Sequence, residues 1–443
     1  MKKPQGPPTQ GEIWQKVGAD PTVLNEILSK VSEPTAGGEY LHWDQLRYLD
    51  PPEGLSHHVW WFGLKLHRIG QAKQIPLLDI AEHPFAFTLA DPLPECLHHI
   101  DSHASGIVQM PEPVVNPDTR RSYIVRSLIE EAITSSQLEG ASTTREVAKK
   151  MIREARPPRD RSEQMIMNNF HTMQRISRVK EESLSRDLVF EIHRMVTEKT
   201  LDDPSGAGRF RRSEEDIVVG DDTGEIFHSP PPAEQLEPRM QTMCDFANGA
   251  APQGFIHPLI RSIVLHFWLA YDHPFIDGNG RTARALFYWS MLRYGYWLFE
   301  YISISRIILK GPVQYGLAFL YTETDENDLT YFLLYHADVI RRAIDELYQY
   351  IERRSQQLRK AEAEVRGLTI LNHRQRELIS HALHHPGQQY YVESHRTSHD
   401  VVYETARSDL MDLVDRGLLR KRKIGKVWNF TPVEDLESRL RRS

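Results

Sequence analysis

Two helical stretches meet across a gap that a helix cannot bridge. Apolar residues recur at Ile260, Ile263, Val264, Phe267, Trp268 and Tyr271, and again at Ala283, Leu286, Phe287 and Met291, the 3.6-residue period of helices with buried faces. Between them, residues 272–278 break the pattern and include Pro274 and Gly278, and helix restarts at Asn279. The spacing predicts a helical core with one short loop held between two helix ends.

The same periodicity predicts helices over 122–138, from the Thr143/Glu146 capping box to about Arg156, over 162–179, 186–199 and 311–322, and a long one over 329–365. Residues 217–227 read as a two-stranded flap that turns at 220–224. Pro4 to Gly11 is expected to be a mobile arm, the flexible segment 1–11. An N-terminal region, 12–120, follows; its paired His residues, such as His57/His58 and His98/His99, lack the spacing of metal ligands and read as structural.

Length and composition limit function. The 443 residues suffice for about three domains at roughly 150 residues each. With 40% hydrophobic and 26% charged residues the chain is an ordinary globular one. A net charge of −7 makes any nucleic-acid contact regional. Cys96 and Cys244 alone build no disulfide framework, and with no 18-residue apolar run the chain is expected to be cytoplasmic and off the membrane.

The gap carries His273-Pro274-Phe275-Ile276-Asp277-Gly278-Asn279-Gly280-Arg281-Thr282-Ala283-Arg284. Each polar element suits phosphate chemistry. Gly278 and Gly280 allow close backbone approach, and the new helix presents unpaired N–H groups to an anion. Asn279 is placed to donate at the helix mouth. Arg281 and Arg284, three apart, are expected to face one side and grip successive phosphates. Asp277 is the natural carboxylate for hydrated Mg²⁺, and His273, with an unperturbed pKa of about 6.5, is the best base for an incoming hydroxyl. A plain turn with capping residues is the alternative for each residue taken singly. The run is not a P-loop, since no G-x-x-x-x-G-K-[ST] occurs.

This segment resembles, at every defined position, the H-x-F-x-[DE]-G-N-G-R-x-x-R signature of the Fic (filamentation induced by cAMP) family, and the resemblance extends over about 122–354. It implies a mainly α Fic-type core with a β-hairpin flap at 121–354, and transfer of AMP from ATP to a Ser, Thr or Tyr hydroxyl of a protein, the chain itself included. It also implies roles. His273 is the general base, Phe275 anchors the loop, and Asp277 holds Mg²⁺. Gly278, Asn279 and Gly280 form the anion hole, with Arg281 on the β- and Arg284 on the γ-phosphate. The flap would clamp the target by strand addition. Gly206 to Arg211 and Asn327 to Thr330 are similar to further family segments.

Ser135-Ser-Gln-Leu-Glu139-Gly140 resembles the family's inhibitory motif, [ST]-x-x-x-E-[GN], on a helix over 122–139. Ser135 and Glu139 share one helix face. By this resemblance Glu139 pairs with Arg284 and misaligns ATP, and a 1 Å misplacement is worth about 100-fold in rate. A role in removing AMP, another nucleotide donor, and a DNA-binding transcriptional regulator whose Fic core only senses nucleotide stay open.

A helical linker is expected at 355–367 and a winged helix (α+β) at 368–443. Its order is a helix capped by Asn372 and Gln375, a strand at 390–392, helices near 398–402 and 404–415, and a hairpin over 418–430 with a turn at Gly425. Six Lys or Arg and no acid lie between Arg416 and Lys426, so DNA and a protein surface are both candidate partners. The sequence leaves a homodimer open.

Overall fold

The computed structural model describes residues 2–17, 21–105, 117–215, 217–220, 224–252, 254–367, 370–424 and 427–440. The chain is mainly helical and divides into two units, residues 2–105 with 127–344, and residues 117–126 with 345–440.

The first unit opens with helices α1 (Gln10–Val17), α2 (Pro21–Lys30), α3 (Trp43–Leu46) and α4 (His57–Gln71), the hairpin β1 (Lys73–Leu78)/β2 (Pro84–Phe87), and α5 (Leu93–Ala104). α6 (Pro117–Leu138) enters this unit at residue 127. Next come α7 (Arg145–Arg153), α8 (Arg161–Val179) and α9 (Arg186–Thr197), then the short hairpin β3 (Val219–Gly220)/β4 (Ile226–His228). The unit is completed by α10 (Leu236–Ala247), α11 (Pro258–Asp272), α12 (Asn279–Arg293), α13 (Ile304–Ile308), α14 (Pro312–Thr324) and α15 (Thr330–Gly367) as far as residue 344.

α11 and α12 form the centre. Almost every residue of both is buried, including Phe267, Trp268, Phe287 and Trp289, as expected for helices surrounded by protein on all sides. The Trp268 indole donates to Asp272 Oδ2 (3.1 Å) and that of Trp289 to the Val179 carbonyl (3.2 Å), so neither ring leaves its N–H unpaired.

The N-terminal segment is part of this unit. Ile13, Ile27, Trp43, Trp61 and Leu64 form one apolar cluster. Ala86 of β2 pairs with the 327–329 segment through Ala86 N–H to Asn327 O (3.2 Å) and Leu329 N–H to Ala86 O (2.8 Å). Beside that seam Lys65 Nζ donates to buried Asp325 (2.8 Å), Arg68 stands 3.9 Å from the same carboxylate, and the Tyr331 hydroxyl donates to it (2.7 Å). Burial works to raise the Asp325 carboxyl, but Lys65 and Arg68 hold it below the ordinary range.

Several details depart from the sequence expectations. Pro4 to Gly11 is docked rather than a free arm. Pro4 is buried, the Gln5 N–H donates to Asp44 (3.1 Å), and Thr9 and Glu12 cap α1 reciprocally at 3.3 Å. Thr144 rather than Thr143 caps α7, because the Thr143 carbonyl is taken by Gln137 Nε2 (3.1 Å). The hairpin at 217–227 pairs Val219–Gly220 with Ile226–His228; its turn at 221–223 lies outside the described residues, as do 106–116 of the N-terminal region. His57 Nε2 donates to the Leu49 carbonyl (2.8 Å), and among the described residues no cluster of three metal-ligating side chains occurs.

The second unit contains α16 (His373–His384), α17 (Val392–His399), α18 (Tyr403–Asp415), the antiparallel pair β5 (Leu419–Ile424)/β6 (Val427–Pro432) and α19 (Leu436–Leu440). Asn372 and Gln375 form the expected capping box. The strand expected at 390–392 reduces to one bridge, Tyr390 to Phe430, because α17 begins at Val392 and ends at left-handed Asp400, earlier than the helix expected near 398–402. Residues 425–426, the expected wing turn, lie outside the described residues. Asp409 is the hub, bonded by Asn372 Nδ2 (2.7 Å) and Arg374 Nε (2.6 Å), with His395 at 3.3 Å. No helix among the described residues is long and apolar enough to cross a membrane.

Asp325→Ala leaves Lys65 and Arg68 buried without their carboxylate. A loss of about 3–5 kcal/mol in urea unfolding is expected. A loss under about 1 kcal/mol would remove this pair as the clamp of the N-terminal segment.

Candidate active site

α11 ends where His273 takes a left-handed conformation (φ 44°), and α12 starts after Gly278 (φ 83°). The loop between them is closed by its own Asn279. The Asn279 side chain accepts from Phe275 N–H (3.0 Å) and donates to Phe275 O (2.8 Å). It therefore does not face an anion as expected; the donors at the helix mouth are backbone N–H groups, which Gly278 has no side chain to cap. Phe275 is fully buried and stacks on His193 at 3.7 Å, the anchor that the sequence resemblance implied.

His193 sits among Val189, Ile192 and Val196 on the buried face of α9. Its Nδ1 accepts from Gly208 N–H (2.9 Å), so its proton is on Nε2, which donates to the Asp277 carbonyl (2.9 Å). Burial lowers its pKa to about 4. Arg211 secures the other side of the loop, donating through Nε to His273 O (2.9 Å) and through its backbone N–H to Pro274 O (2.8 Å). His193 was not singled out from sequence, its available signal being a lone His on the apolar face of the 186–199 helix; Arg211 ends the Gly206 to Arg211 segment that the sequence resemblance included, without a role given to it.

His273 itself is half-buried. Its Nδ1 lies 3.2 Å from the Ala270 carbonyl, which can only accept, so Nδ1 carries the proton and Nε2 keeps its lone pair. Burial lowers its pKa to about 4, helped by His228 and Arg211 and opposed by Ala270 O and Glu139. At neutral pH it is an uncharged base. His228 is the opposite case. Nδ1 meets the Glu323 carboxylate and Nε2 the Tyr271 carbonyl, both at 2.7 Å. Two acceptors require two protons, and although burial opposes it, Glu323 raises this pKa above 6.5.

Asp277 receives Gly278 N–H on Oδ1 (2.5 Å) and has Arg281 at 3.4 Å and Arg161 at 3.7 Å. Its side chain is 42% exposed, which leaves room for one bond to a hydrated Mg²⁺. A single carboxylate with water fits that ion, which usually takes its other ligands from solvent and phosphate oxygens.

Arg281 and Arg284 are each 1% exposed. They do not point at one partner. Arg281 donates to the Val196 carbonyl (2.7 Å), and its Nε is buried with no hydrogen-bond partner. Arg284 donates through Nε to Ser135 Oγ and through one terminal nitrogen to Ser135 O and Glu139 Oε1, all at 2.8 Å. Glu139 presses on the mouth of α12, where a Cβ on Gly280 would fall 2.1 Å from Glu139 Oε1. Only glycine lets the carboxylate in. Burial works to raise the Glu139 pKa, yet Arg284, then Arg281 and His273, hold it below the usual carboxylate range.

One step behind, buried Glu131 accepts from the Tyr288 hydroxyl (2.9 Å), Ser303 Oγ (2.8 Å), Ser305 Oγ (2.5 Å) and Ser305 N–H (3.2 Å). Residues 131, 135 and 139 of one strand of sequence thus meet 288, 284 and 280 of α12. Steps of four on both sides are what helix faces provide.

The site is an anion-seeking helix mouth with an uncharged imidazole on one side and a carboxylate seated in it. Residues 183–291 match the Fic/DOC family. A protein of Nematostella vectensis called Protein adenylyltransferase Fic is 31% identical over 166 residues, 38% of this chain and 34% of that one. One of the same name from Aedes aegypti is 30% identical over 158 residues, 35% of this chain and 28% of that one. The chain thus spans about a third of the length of the curated relatives it matches. A solved Fic family protein from Desulfovibrio desulfuricans G20 shares the fold, with a TM-score of 0.52 at 18% identity, covering 78% of this chain and 97% of that one.

In a histidine NMR titration, His193 and His273 are expected to titrate near pH 4 and His228 above 6.5. The stabilisation from the His228–Glu323 pair is complete below pH 6.5 and lost as pH rises through the folded pKa. A His273 pKa of 6.5 would contradict its environment as described.

Proposed function

We propose that the chain is a protein adenylyltransferase held off by its own Glu139. The supporting observation is the Glu139 carboxylate seated on Gly280 and bonded to Arg284, between the base and the arginines. Relatives named for this activity support the chemistry. In the reading, ATP phosphates occupy the mouth of α12, with its first-turn N–H groups and Arg281 on the inner phosphates and Arg284 on the terminal one.

His273 Nε2 takes the proton of a Ser, Thr or Tyr hydroxyl. The hydroxyl oxygen bonds to the α-phosphorus as the bond to pyrophosphate breaks, giving an AMP ester. Asp277 would hold Mg²⁺, which supplies charge neutralisation on the phosphates. The chain's contribution is positioning and fixed charge. Glu139 opposes this by filling the place of phosphate oxygens and by engaging Arg284. The hairpin β3/β4 is the proposed seat of the target segment.

Labelling with radioactive ATP tests it. Glu139→Gly is expected to raise incorporation on the order of 100-fold, and His273→Ala in that background to abolish it. Equal labelling by wild type and Glu139→Gly would remove the brake. Mass spectrometry with mixed nucleotides reads the donor, and the chain itself is the first acceptor to inspect.

A second reading attaches to the other unit. Arg420, Lys421, Arg422 and Lys423 are all exposed, and among the described residues they make no ion pair, whereas Arg416 and Arg439 are held by Asp412 (2.8 Å) and Asp435 (2.9 Å). Four exposed cations on one strand suit a duplex phosphate backbone. In gel shifts over a salt series, Arg422→Ala with Lys423→Ala is expected to lower the log–log salt slope by about 2. An unchanged slope assigns this strand to protein contact.

A further inference from the structure

The last carbonyls of α11 have no partner inside the helix, and side chains take two of them in succession. Ala270 O receives His273 Nδ1 (3.2 Å), which aims the base. Tyr271 O receives Nε2 of His228 (2.7 Å), the last residue of β4. Further along the loop, His273 O and Pro274 O receive Arg211 Nε (2.9 Å) and the Arg211 backbone N–H (2.8 Å). One helix end is thus the shared reference for the base and for the hairpin.

The leg of the hairpin is tied at both ends. His228 opens it, and three residues on the Pro231 carbonyl accepts from Arg211 Nη2. Both side chains are buried, and cations suit a helix C-terminus, where the dipole is negative. The hairpin has little hold of its own. Two residues of β3 meet three of β4, with a shift of register between Val219 and Gly220. A ribbon this short does not stand alone, so its place beside the base is set by these ties.

The His228 tie needs two protons, since Nδ1 meets the Glu323 carboxylate of α14 (2.7 Å) and Nε2 meets a carbonyl. A neutral imidazole has one N–H and turns a lone pair toward one of the two acceptors. Glu323 and Asp272 of α11 favour the charged ring against burial. Asp272 is itself engaged by Arg239 of α10 (2.6 Å), and the Tyr271 ring lies 4.7 Å from the imidazole. Of the other groups at this helix end, Arg211 is a cation and His273 is uncharged at neutral pH.

We propose that His228 is a positioning residue: bonded to Glu323 and to the end of α11, it holds the hairpin β3/β4, and with it the target hydroxyl, within reach of His273 Nε2. Arg211 secures the other end of the leg. The proposal rests on the adenylyltransferase reading and deepens it on the acceptor side alone, because the phosphates lie at the mouth of α12.

The experiment uses the full chain carrying Glu139→Gly and follows three quantities across a pH series. They are self-labelling from radioactive ATP, ATP affinity by calorimetry, and hydrogen exchange of the 226–228 amides corrected for the intrinsic rate. In this parent, labelling and amide protection are expected to fall together as pH rises through the folded pKa of His228, above 6.5. Glu323→Gln keeps an acceptor and the volume but removes the charge. It is expected to move both falls to lower pH and to cost roughly tenfold in labelling near neutral pH, the worth of one hydrogen bond to a charged group, with ATP affinity kept within about twofold. His228→Ala is expected to label weakly at every pH, with neither fall. Falls that stay in place in Glu323→Gln, a fall that survives His228→Ala, ATP affinity lost in step with labelling, or protection indifferent to pH overturns the proposal alone. A parent that takes up no label at any pH overturns the adenylyltransferase reading and this proposal with it.

Discussion

A guanidinium buried without compensation is costly, and α12 carries two buried ones, Arg281 and Arg284, with no acid of its own. An uncompensated buried charge costs several kcal/mol, so the architecture around α12 is largely a solution to that problem. Arg281 is tied to the end of α9 and to Asp277, and Arg284 to Ser135 and Glu139. The helix centre is therefore complete only with α6 in place. In that state the carboxylate of Glu139 does for Arg284 what a phosphate would do.

On the proposed function, inhibition would be a matter of substitution rather than obstruction. The arginine that suits an anionic ligand is satisfied internally by one carboxylate, and on that reading a nucleotide has to match what it displaces. The base needs no such release. His273 has its proton fixed on Nδ1 by Ala270 and stands uncharged beside a carboxylate. His228 beside it has its pKa raised by Glu323, so of two imidazoles by one loop burial keeps one neutral while a carboxylate favours the charged form of the other.

The run from His273 to Arg284 was legible because its residue types are rare together and lie adjacent in sequence. Helix periods and the Asn372 cap were legible for the same local reason. Asn279 was misjudged because an amide can mimic a backbone pair, and sequence does not tell whether it faces the loop or a ligand. Thr9 and Glu12 form a capping box that was readable and was passed over for the Pro- and Gly-rich composition around it. The joining of the N-terminal segment to the core was not readable at all. Lys65 and Asp325 are 260 positions apart, and no spacing rule links them.

The rungs at 131, 135 and 139 have a mechanical corollary. Because each residue advances a helix by about 100°, a shift of α6 by a single position carries Glu131 and Ser135 off their partners, and with them Glu139, which follows directly on the helix. Intermediate registers offer a buried carboxylate and a buried arginine nothing in exchange. On the proposed function, releasing the brake would mean turning this whole face at once.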